Sequence, residues 1–392
     1  MRICETTSAT TATPGASCAR DGDCRSGLCE DQVCVALCSD RCARGYRCEP
    51  TAIERSRTIT PNTCKVRLAD WSVDLGPVAT PPAGSDELTF VVPDATASFT
   101  IVLDDLEGLR VATRSLIAPD GTTIVDPFSH YPGTACALVP SSDKVEARAR
   151  PGTWRLRVGT YAPAIFDLSQ PVPGAIERVL VIFEPESELG GSLDLILHLA
   201  PALGVASATT ARPITQLLGA VSRQLLDPAS IALGDVEMRA LDAEHDRVEN
   251  GDETRAICLE RSELGRHGTS INVFIVETLD YTRGHAGGVP GPPGIASTRA
   301  SGIVIQHLGD WEDTGTLLAH ELGHFLGLRH TSELTGGVSD PISDTSECPA
   351  GTSASDCPDY RNLMFPTFPL SGTLALTPGQ LRVIAASPWL YE

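Results

Sequence analysis

The residues best suited to chemistry lie between His320 and His330 and read His-Glu-Leu-Gly-His-Phe-Leu-Gly-Leu-Arg-His. On a helix, residues four apart share a face, so His320 and His324 can direct imidazole nitrogens at one metal ion. Glu321 is the next residue, close enough to handle a water bound to that ion. Gly327 permits the strained turn that ends the helix and returns His330 as a third ligand. Three protein ligands leave the fourth position of a tetrahedral zinc ion open, as in catalytic sites.

A helix whose histidines lie by chance on a buried face is the alternative explanation of this pattern. It would be preferred for one histidine, but three at this spacing, with Glu321 and Gly327 in place, favour a metal site. A glutamate as the third zinc ligand is disfavoured, because His330 occupies the position that the longer motif requires. The remaining histidines lack ligand spacing, and we expect surface or core positions for them: His130, His198, His245, His267, His285 and His307.

The segment resembles the metzincin clan of zinc endopeptidases, in which this long motif is followed by a methionine turn. Residues 362–366, Asn-Leu-Met-Phe-Pro, are similar to that turn and would place Met364 beneath the metal. Their Met-Phe-Pro order also resembles the matrix metalloproteases. Within the clan, residues 326–331 followed by 340–345 are similar to the pappalysin group. The sequence departs from that group at Ser346 and Pro366, so the group's usual tyrosine after the methionine is missing.

This resemblance implies a zinc-dependent endopeptidase with one catalytic zinc ion on His320, His324 and His330. Glu321 would act as general base, taking a proton from the zinc-activated water and passing it to the leaving amine. The resemblance also implies an edge strand that pairs with an extended peptide substrate and completes its backbone hydrogen bonds. That strand would comprise Gly294, Ile295, Ala296, Ser297 and Thr298.

An acidic segment follows the third histidine, and the pappalysin resemblance implies a structural calcium ion nearby. Asp340 and Asp344, together with Asp356 and Asp359, are the candidate oxygen ligands, since carboxylates suit this hard cation. A solvated acidic loop without calcium is the open alternative. Cys348 and Cys357 lie within this segment, and we expect them to form a disulfide with each other.

The charge of the chain restricts its partners. Among 392 residues, 30 are Lys or Arg and 50 are Asp or Glu, which gives a net charge of −20. This balance argues against nucleic acids and anionic membranes, because both attract basic proteins. No long apolar run is present, so no transmembrane segment is expected. We expect a monomer whose partner is a protein or peptide substrate.

The cysteines indicate an oxidising compartment. Nine of the 13 cysteines fall within the first 64 residues, and eight of these lie in 18–64. Such density is typical of a small extracellular module held by disulfides, so a secreted or cell-surface location is expected. Cys136 and Cys258 are expected to pair. The odd count leaves Cys4, which keeps a disulfide-linked dimer or a lipid anchor open. No signal peptide is visible at Met1.

The predicted fold class is multidomain. We expect a tether at 1–17, a Cys-rich disulfide module at 18–68 and an all-β sandwich or jelly-roll domain at 69–170. An α+β metzincin-like peptidase domain, with a mixed sheet and a zinc-binding helix, should follow at 171–392. Period-two patterns such as residues 98–103 and 154–158 support the sandwich. An extracellular adhesion or binding protein with a vestigial zinc domain is the alternative function.

Overall fold

The computed structural model describes residues 72–390, together with the backbone of five short strands between residues 29 and 66. Within 72–390 it leaves out 105–109, 125–135, 141, 144–147, 162–170, 186–190, 206–210, 266–269, 335 and 368–373. The predicted tether, the disulfides of the Cys-rich module and Cys4 lie outside the described residues. The chain is a mixed α+β protein with many strands and few helices. No helix in the described part is long and apolar enough to cross a membrane.

The N-terminal strands form two small antiparallel sheets. One contains β1 (Cys29–Glu30) and β2 (Val33–Cys34). The other has the order β3-β5-β4 and comprises β3 (Ala36–Leu37), β4 (Tyr46–Pro50) and β5 (Asn62–Val66).

Two antiparallel sheets follow and enclose one hydrophobic core. The first comprises β8 (Leu88–Val92), β10 (Arg110–Ile117), β11 (Thr123–Ile124), β13 (Gly152–Tyr161) and β14 (Pro171–Val172). The second comprises β6 (Ser72–Asp74), β9 (Thr96–Asp104), β12 (Cys136–Val139) and β16 (Arg178–Pro185). A small pair is formed by β7 (Val78–Thr80) and β15 (Gly174–Ile176). Phe99 and Trp154 meet edge to face in the shared core, with ring centroids 4.9 Å apart, so alternate side chains of both sheets are buried together.

The expected boundary at residue 170 is wrong. Strands β14, β15 and β16 pair with β13, β7 and β9 of the antiparallel sheets, although we expected these residues to begin the peptidase domain. Short strands with period-two patterning continue to Pro185, and β17 (Gly191–Leu199) is the first strand of the next sheet. The change of sheet therefore falls between Pro185 and Gly191.

A mixed five-stranded sheet has the order β18-β17-β20-β23-β22. The parallel strands are β17, β18 (Ile231–Ala240), β20 (Ile271–Val276) and β23 (Ile303–Gln306), and β22 (Gly284–Ala286) is antiparallel at the edge. A small parallel pair is formed by β19 (Arg247–Val248) and β21 (Thr278–Leu279). The helices are α1 (Arg212–Val221), which continues as a π-helical turn at Ser222–Leu226, α2 (Gly251–Arg261), α3 (Trp311–Phe325) and α4 (Pro378–Ala385). Single 3₁₀ turns lie at Pro201–Leu203, Ala243–His245 and Ala354–Asp356.

The mixed sheet buries different residues on its two faces. Leu195 and Leu197 of β17 pack in one cluster with residues of α1 and α3. On the opposite face, Phe274 packs with Cys258 of α2. Cys258 is a buried free thiol, so its expected disulfide with Cys136 is wrong. Cys258 instead packs in the core as a small apolar side chain.

Helix α3 begins at Trp311 and carries the first two histidines of the motif. Asp310 caps its N-terminus by accepting hydrogen bonds from Glu312 N (2.8 Å) and Asp313 N (3.2 Å). The acidic residues of the first turn also interact favourably with the helix dipole. These residues were a helix start signal that the hydrophobic pattern alone did not reveal.

The expected edge strand at 294–298 is also wrong. All five residues are described and none is in a strand. Pro292 and Pro293 precede them and lack backbone N–H groups, and Gly294 and Ser297 have φ values of 64° and 57°, outside the range of extended backbone. The antiparallel edge strand is instead β22, which pairs with β23 through His285 and Val304.

Candidate metal centre

The three histidines of the motif converge at the end of α3. Their ligand nitrogens all lie within 4.8 Å of one another. The ring centroids of His320 and His324 are 4.7 Å apart, and those of His324 and His330 are 4.8 Å apart. Gly327 has φ 112° and its N–H donates to the carbonyl of His324, so the chain turns back directly after the helix. This turn brings His330 to the two helical histidines.

Each imidazole is oriented by a hydrogen bond through its Nδ1 atom. His320 Nδ1 lies 2.7 Å from the Leu363 carbonyl oxygen, and His324 Nδ1 lies 2.8 Å from that of Leu328. His330 Nδ1 is 3.4 Å from Glu333 Oε1. A donating Nδ1 leaves the lone pair on Nε2, the usual second-shell arrangement around zinc.

The electrostatics of the site favour the neutral form of the two helical imidazoles, His320 and His324. Burial lowers the pKa of His320 to about 3, and the charge of His330 adds to this shift. Burial also lowers the pKa of His324 far below its ordinary value. Neutral imidazole is the form that ligates a metal, so this three-nitrogen donor set fits a zinc ion with an open fourth position.

Glu321 connects the histidine cluster with the edge strand. Its side chain is buried beside His320 and accepts a hydrogen bond from the backbone N–H of Ala286 in β22. Burial raises the pKa of Glu321 to about 8, against the opposing effect of that hydrogen bond. The positive charge of a bound metal would lower this pKa again. A carboxyl group poised near neutrality can take up and release a proton.

The hydrogen-bonding pattern of β22 shows which of its backbone groups face the cleft. Arg283 O accepts from Gln306 N (2.8 Å), and Gly287 N donates to Gly302 O (2.9 Å), so alternate residues bond to the neighbouring strand. Gly284 and Ala286 therefore direct their backbone groups away from β23. Among the described residues no strand pairs with this outer side. Its Ala286 N–H is the group that contacts Glu321.

Two close approaches require glycine at the site. Any side chain on Gly284 would overlap the Glu321 carboxyl group. On the helix, Gly323 similarly leaves room for the Met364 sulfur. Met364 is fully buried, so the structure places the predicted methionine turn against α3, between the turns that carry His320 and His324.

The methionine turn is fixed by a buried amide pair. Asn362 Nδ2 donates to Gln380 Oε1 (2.9 Å), and Gln380 Nε2 donates to Asn362 Oδ1 (3.1 Å). Asn362 Oδ1 also accepts from Met364 N at 2.8 Å. Leu363 lies within this turn and supplies the carbonyl oxygen that orients His320. Helix α4 therefore positions a zinc-site histidine through the turn.

The expected disulfide between Cys348 and Cys357 is confirmed. The candidate calcium residues do not form one group. Asp340 and Asp344 are neighbours, but no three of Asp340, Asp344, Asp356 and Asp359 converge within the described part of the chain. Asp340 Oδ2 and both carboxylate oxygens of Asp359 are buried without a hydrogen-bond partner. Burial raises the pKa of Asp340 to about 7, and the charge of Asp344 adds to this shift.

Several residues of the site were not found from the sequence. Gly284 and Ala286 belong to a strand of three residues, too short for a period-two pattern. Glu333 lies three residues after His330 and had no motif to mark it. A carboxylate near a ligand histidine is the one signal that was available for Glu333.

Residues 267–363 match the peptidase family M43 model, described as pregnancy-associated plasma protein-A. The matched segment contains all three histidines, Glu321 and Gly327. Over this segment the chain is therefore similar to the pappalysin-like metzincins, a family of zinc metalloendopeptidases. The resemblance predicted from the sequence is thus confirmed, and the matched segment also includes strands β22 and β23.

Solved structures similar to the chain are metalloproteinases at low identity. Metalloproteinase-II from Bacteroides fragilis is 14% identical with a TM-score of 0.34, covering 54% of this chain and 63% of its own. Mirolysin in complex with compound 9 is 16% identical with a TM-score of 0.37, covering 50% and 91%. Mature mirolysin of Tannerella forsythia in complex with a cleaved peptide is 17% identical with a TM-score of 0.32, covering 51% and 91%. The match thus spans less than two thirds of the Bacteroides protein. No curated protein matches the sequence.

Proposed function

We propose that this chain is a secreted endopeptidase that holds one zinc ion with His320, His324 and His330 and uses Glu321 as general base. The observation that carries the proposal is the position of Glu321. Glu321 directly follows the ligand histidine His320 in the chain. Its carboxyl group accepts a hydrogen bond from the N–H of Ala286, which points away from the neighbouring strand β23. The carboxyl group of the proposed base, Glu321, therefore lies between the proposed metal site and the strand suited to bind a peptide.

Strand β22 and Glu321 together explain how a peptide would be bound and cut. An extended peptide laid along β22 would accept the hydrogen bond of Ala286 N–H that Glu321 now accepts. The freed carboxylate would then take a proton from the attacking water and deliver it to the leaving amine. Zinc, when bound, supplies Lewis-acid activation of the water and of the peptide carbonyl. We assign the substrate-pairing role to Gly284–Ala286 in place of residues 294–298.

Secretion is proposed from the cysteines. The Cys348–Cys357 disulfide belongs to the segment that follows the ligand histidines. Disulfides persist in oxidising compartments, and the eight cysteines of 18–64 have the density of an extracellular module. We also propose a tether at 1–17, a Cys-rich module at 18–68 and a separate sandwich domain. We propose that the protein is a monomer.

A structural calcium ion is proposed at Asp340 and Asp344. Asp340 Oδ1 accepts from Thr345 Oγ1 (2.6 Å) and Ile342 N (3.1 Å), while its Oδ2 is buried without a hydrogen bond. A buried carboxylate oxygen without a partner is costly, and a hard cation would offset that cost. Asp344 Oδ2 accepts from Gly379 N (2.8 Å), so calcium here would also connect the acidic segment to α4.

The experiment that tests the function compares two glutamates of α3. Glu321→Gln should retain zinc and the fold while kcat/KM on denatured protein substrates falls by about a thousandfold, the scale of general base catalysis. Glu312→Gln is the matched control, because Glu312 is exposed on the same helix and pairs with Arg223 (2.5 Å). His324→Ala should lose the metal.

Three results would overturn the proposal. The first is Glu321→Gln cleaving as fast as the parent, and the second is no zinc in the purified chain at neutral pH. A parent chain that binds zinc and cleaves no protein would instead favour the adhesion alternative. For calcium, adding the ion after chelation should raise the thermal midpoint, and Asp344→Asn should blunt the rise. A rise no larger than that with magnesium would exclude the calcium site.

A further inference from the structure

The second antiparallel sheet is covered on both of its faces. Strand β9 buries Phe99 and Ile101 in the core between the two sheets, and it also buries Ser98 and Val102, which alternate with them and lie on the opposite face. On that opposite face, Val102 packs in one cluster with Ile295 of the α+β region. The outer face of this sheet is therefore an internal contact surface with the region that carries the metal centre.

The same sheet contacts the C-terminal half of helix α4. Ser98 Oγ donates a hydrogen bond to the carbonyl oxygen of Ala386, the residue that follows the helix, at 2.5 Å. Arg382 lies one turn earlier, and its Nη2 atom donates to Asp143 Oδ2 at 3.2 Å. Helix α4 also carries one partner of the amide pair that fixes the methionine turn. The antiparallel sheets therefore hold the helix that supports this turn.

A second set of contacts reaches the acidic segment that follows the third histidine. Asp143 Oδ1 accepts from Ser343 N at 2.9 Å, and Asp143 Oδ2 accepts from Ser343 Oγ at 2.6 Å. Within the same segment, Asp340 N donates to the carbonyl oxygen of Thr331 at 3.2 Å. Thr331 directly follows His330 in the chain. Asp143 thus binds a segment that is itself bonded to the residue beside a ligand histidine.

The carboxyl group of Asp143 is a junction between these two elements. Its side chain is 7% exposed and receives three hydrogen bonds, two from Ser343 and one from Arg382. Burial raises the pKa of Asp143, but these hydrogen bonds outweigh that effect and hold the pKa below its ordinary value. Hydrogen bonds to an ionised carboxylate are stronger than neutral ones. Ser142 Oγ adds a bond to the carbonyl oxygen of Pro341 at 2.9 Å.

We infer that Asp143 is a positioning residue for the metal centre, because it fixes the spacing between the acidic segment and helix α4. The acidic segment supports His330 through Thr331, and α4 supports His320 through the methionine turn. Groups that orient metal ligands alter metal affinity without touching the ion. This inference rests on the proposed zinc peptidase function and gives the antiparallel sheets a part in it.

The test compares the full-length parent with Asp143→Asn, at a temperature well below the thermal midpoints of both. Asparagine would place an NH₂ group where Asp143 Oδ2 accepts from Ser343 Oγ and Arg382. Zinc affinity, measured by competition with a chelator, should fall by about fivefold, below the scale of about tenfold to hundredfold for groups that contact ligand histidines directly. The visible absorption spectrum of cobalt(II) bound in place of zinc should also change, because it depends on the coordination geometry.

Steady-state kinetics at saturating zinc give a further readout. The contacts of Asp143 lead to the histidine ligands and not to β22, the strand proposed to bind the peptide. We therefore expect kcat to fall by about threefold while KM stays at the parent value, as for an interaction made in the transition state. Ser343→Ala removes one of the hydrogen bonds to Asp143. Its effect on zinc affinity should be smaller and should not add fully to that of Asp143→Asn.

Two control variants separate positioning from general stability. Asp74 accepts from Gly76 N (2.9 Å) and from Arg178 Nε (2.9 Å), so it binds a backbone N–H and a guanidinium as Asp143 does, but within the antiparallel sheets. Asp74→Asn should leave zinc affinity and the cobalt spectrum unchanged. Ile101→Val removes a methylene group from the core between the sheets and should lower the thermal midpoint while also leaving both unchanged.

The outcomes distinguish this inference from the proposed function. If the parent binds zinc and cleaves peptides, but Asp143→Asn lowers zinc affinity no more than Ile101→Val does, the positioning role alone is wrong. An unchanged cobalt spectrum in Asp143→Asn would also overturn it. If the parent binds no zinc, the proposed function fails and this inference fails with it. If Asp143→Asn does not fold, Ser343→Ala and Arg382→Gln, which each remove part of the junction, decide the question by the same measurements.

Discussion

The two walls of the candidate cleft, helix α3 and strand β22, hold their residues in place by different means. On α3 the spacing of four residues and the cap at Asp310 fix His320 and His324 within one helix. Strand β22 has three residues, and its place depends on pairing with β23 and on the missing side chain of Gly284. One wall is defined by local sequence and the other by contacts distant in the chain.

This difference has a physical consequence. The helix tolerates change on its outer face, because His320 and His324 are held by its backbone hydrogen bonds and each by its own Nδ1 contact. The contact between β22 and Glu321 depends on two features only. These are the hydrogen bond from Ala286 N–H and the absence of a side chain at Gly284. We therefore expect small substitutions to have larger effects on the strand wall than on the start of the helix.

Among substitutions that leave the histidine ligands and Glu321 unchanged, the largest expected effect comes from Gly284→Ala. The added methyl group would overlap the Glu321 carboxyl group and displace either the base or the strand. A displacement of about 1 Å at a catalytic group can cost about a hundredfold in rate. We expect kcat/KM to fall by about that factor while the zinc content, measured by metal analysis, stays at the parent value.

Gly219→Ala is the control for this prediction. Gly219 lies within α1, and a Cβ there would meet only Arg223 Nη1 at 3.9 Å, an ordinary contact distance. Alanine favours helix over glycine, so activity should be unchanged and stability slightly higher. Full activity in Gly284→Ala would show that β22 does not approach the base during the reaction.

The next effect concerns the amide pair that holds the methionine turn. Asn362→Ala would remove the hydrogen-bond acceptor of Gln380 Nε2 and of Met364 N in a buried site, at a cost of about 2 kcal/mol in the free energy of unfolding. Since Leu363 orients His320, zinc affinity should also fall, by about tenfold. Denaturant unfolding and zinc titration measure the two effects.

The control is Asn250→Ala, which removes the N-terminal cap of α2 and should cost about 1 kcal/mol. It should leave zinc affinity unchanged, because Asn250 contacts no ligand histidine. If Asn362→Ala loses only stability, the methionine turn supports the fold without positioning the metal site.

The same contrast explains how much was predictable from the sequence. The ligand spacing and the Cys348–Cys357 pair depend on near neighbours in the chain, and the sequence predicted them. Strand β22 is three residues long and gains its pairing from β23, so periodicity could not detect it. The same holds for β14 to β16, whose sheet partners lie far earlier in the chain. Residues 294–298 were assigned to a strand from the family resemblance, and the positive φ values of Gly294 and Ser297 do not fit an extended strand.

The smallest expected effect concerns the start of α3. Asp310→Ala removes the side chain that accepts from Glu312 N and Asp313 N, which should lower the free energy of unfolding by about 1 kcal/mol. Asp310→Asn is the control, because asparagine caps helices about as well. His320 and Glu321 lie well inside the helix, beyond the first turn that the cap supports, so kcat/KM and zinc content should match the parent in both variants. A loss of activity in Asp310→Ala with zinc fully retained would show that the helix wall transmits changes along its length. The proposed difference between the two walls would then be wrong.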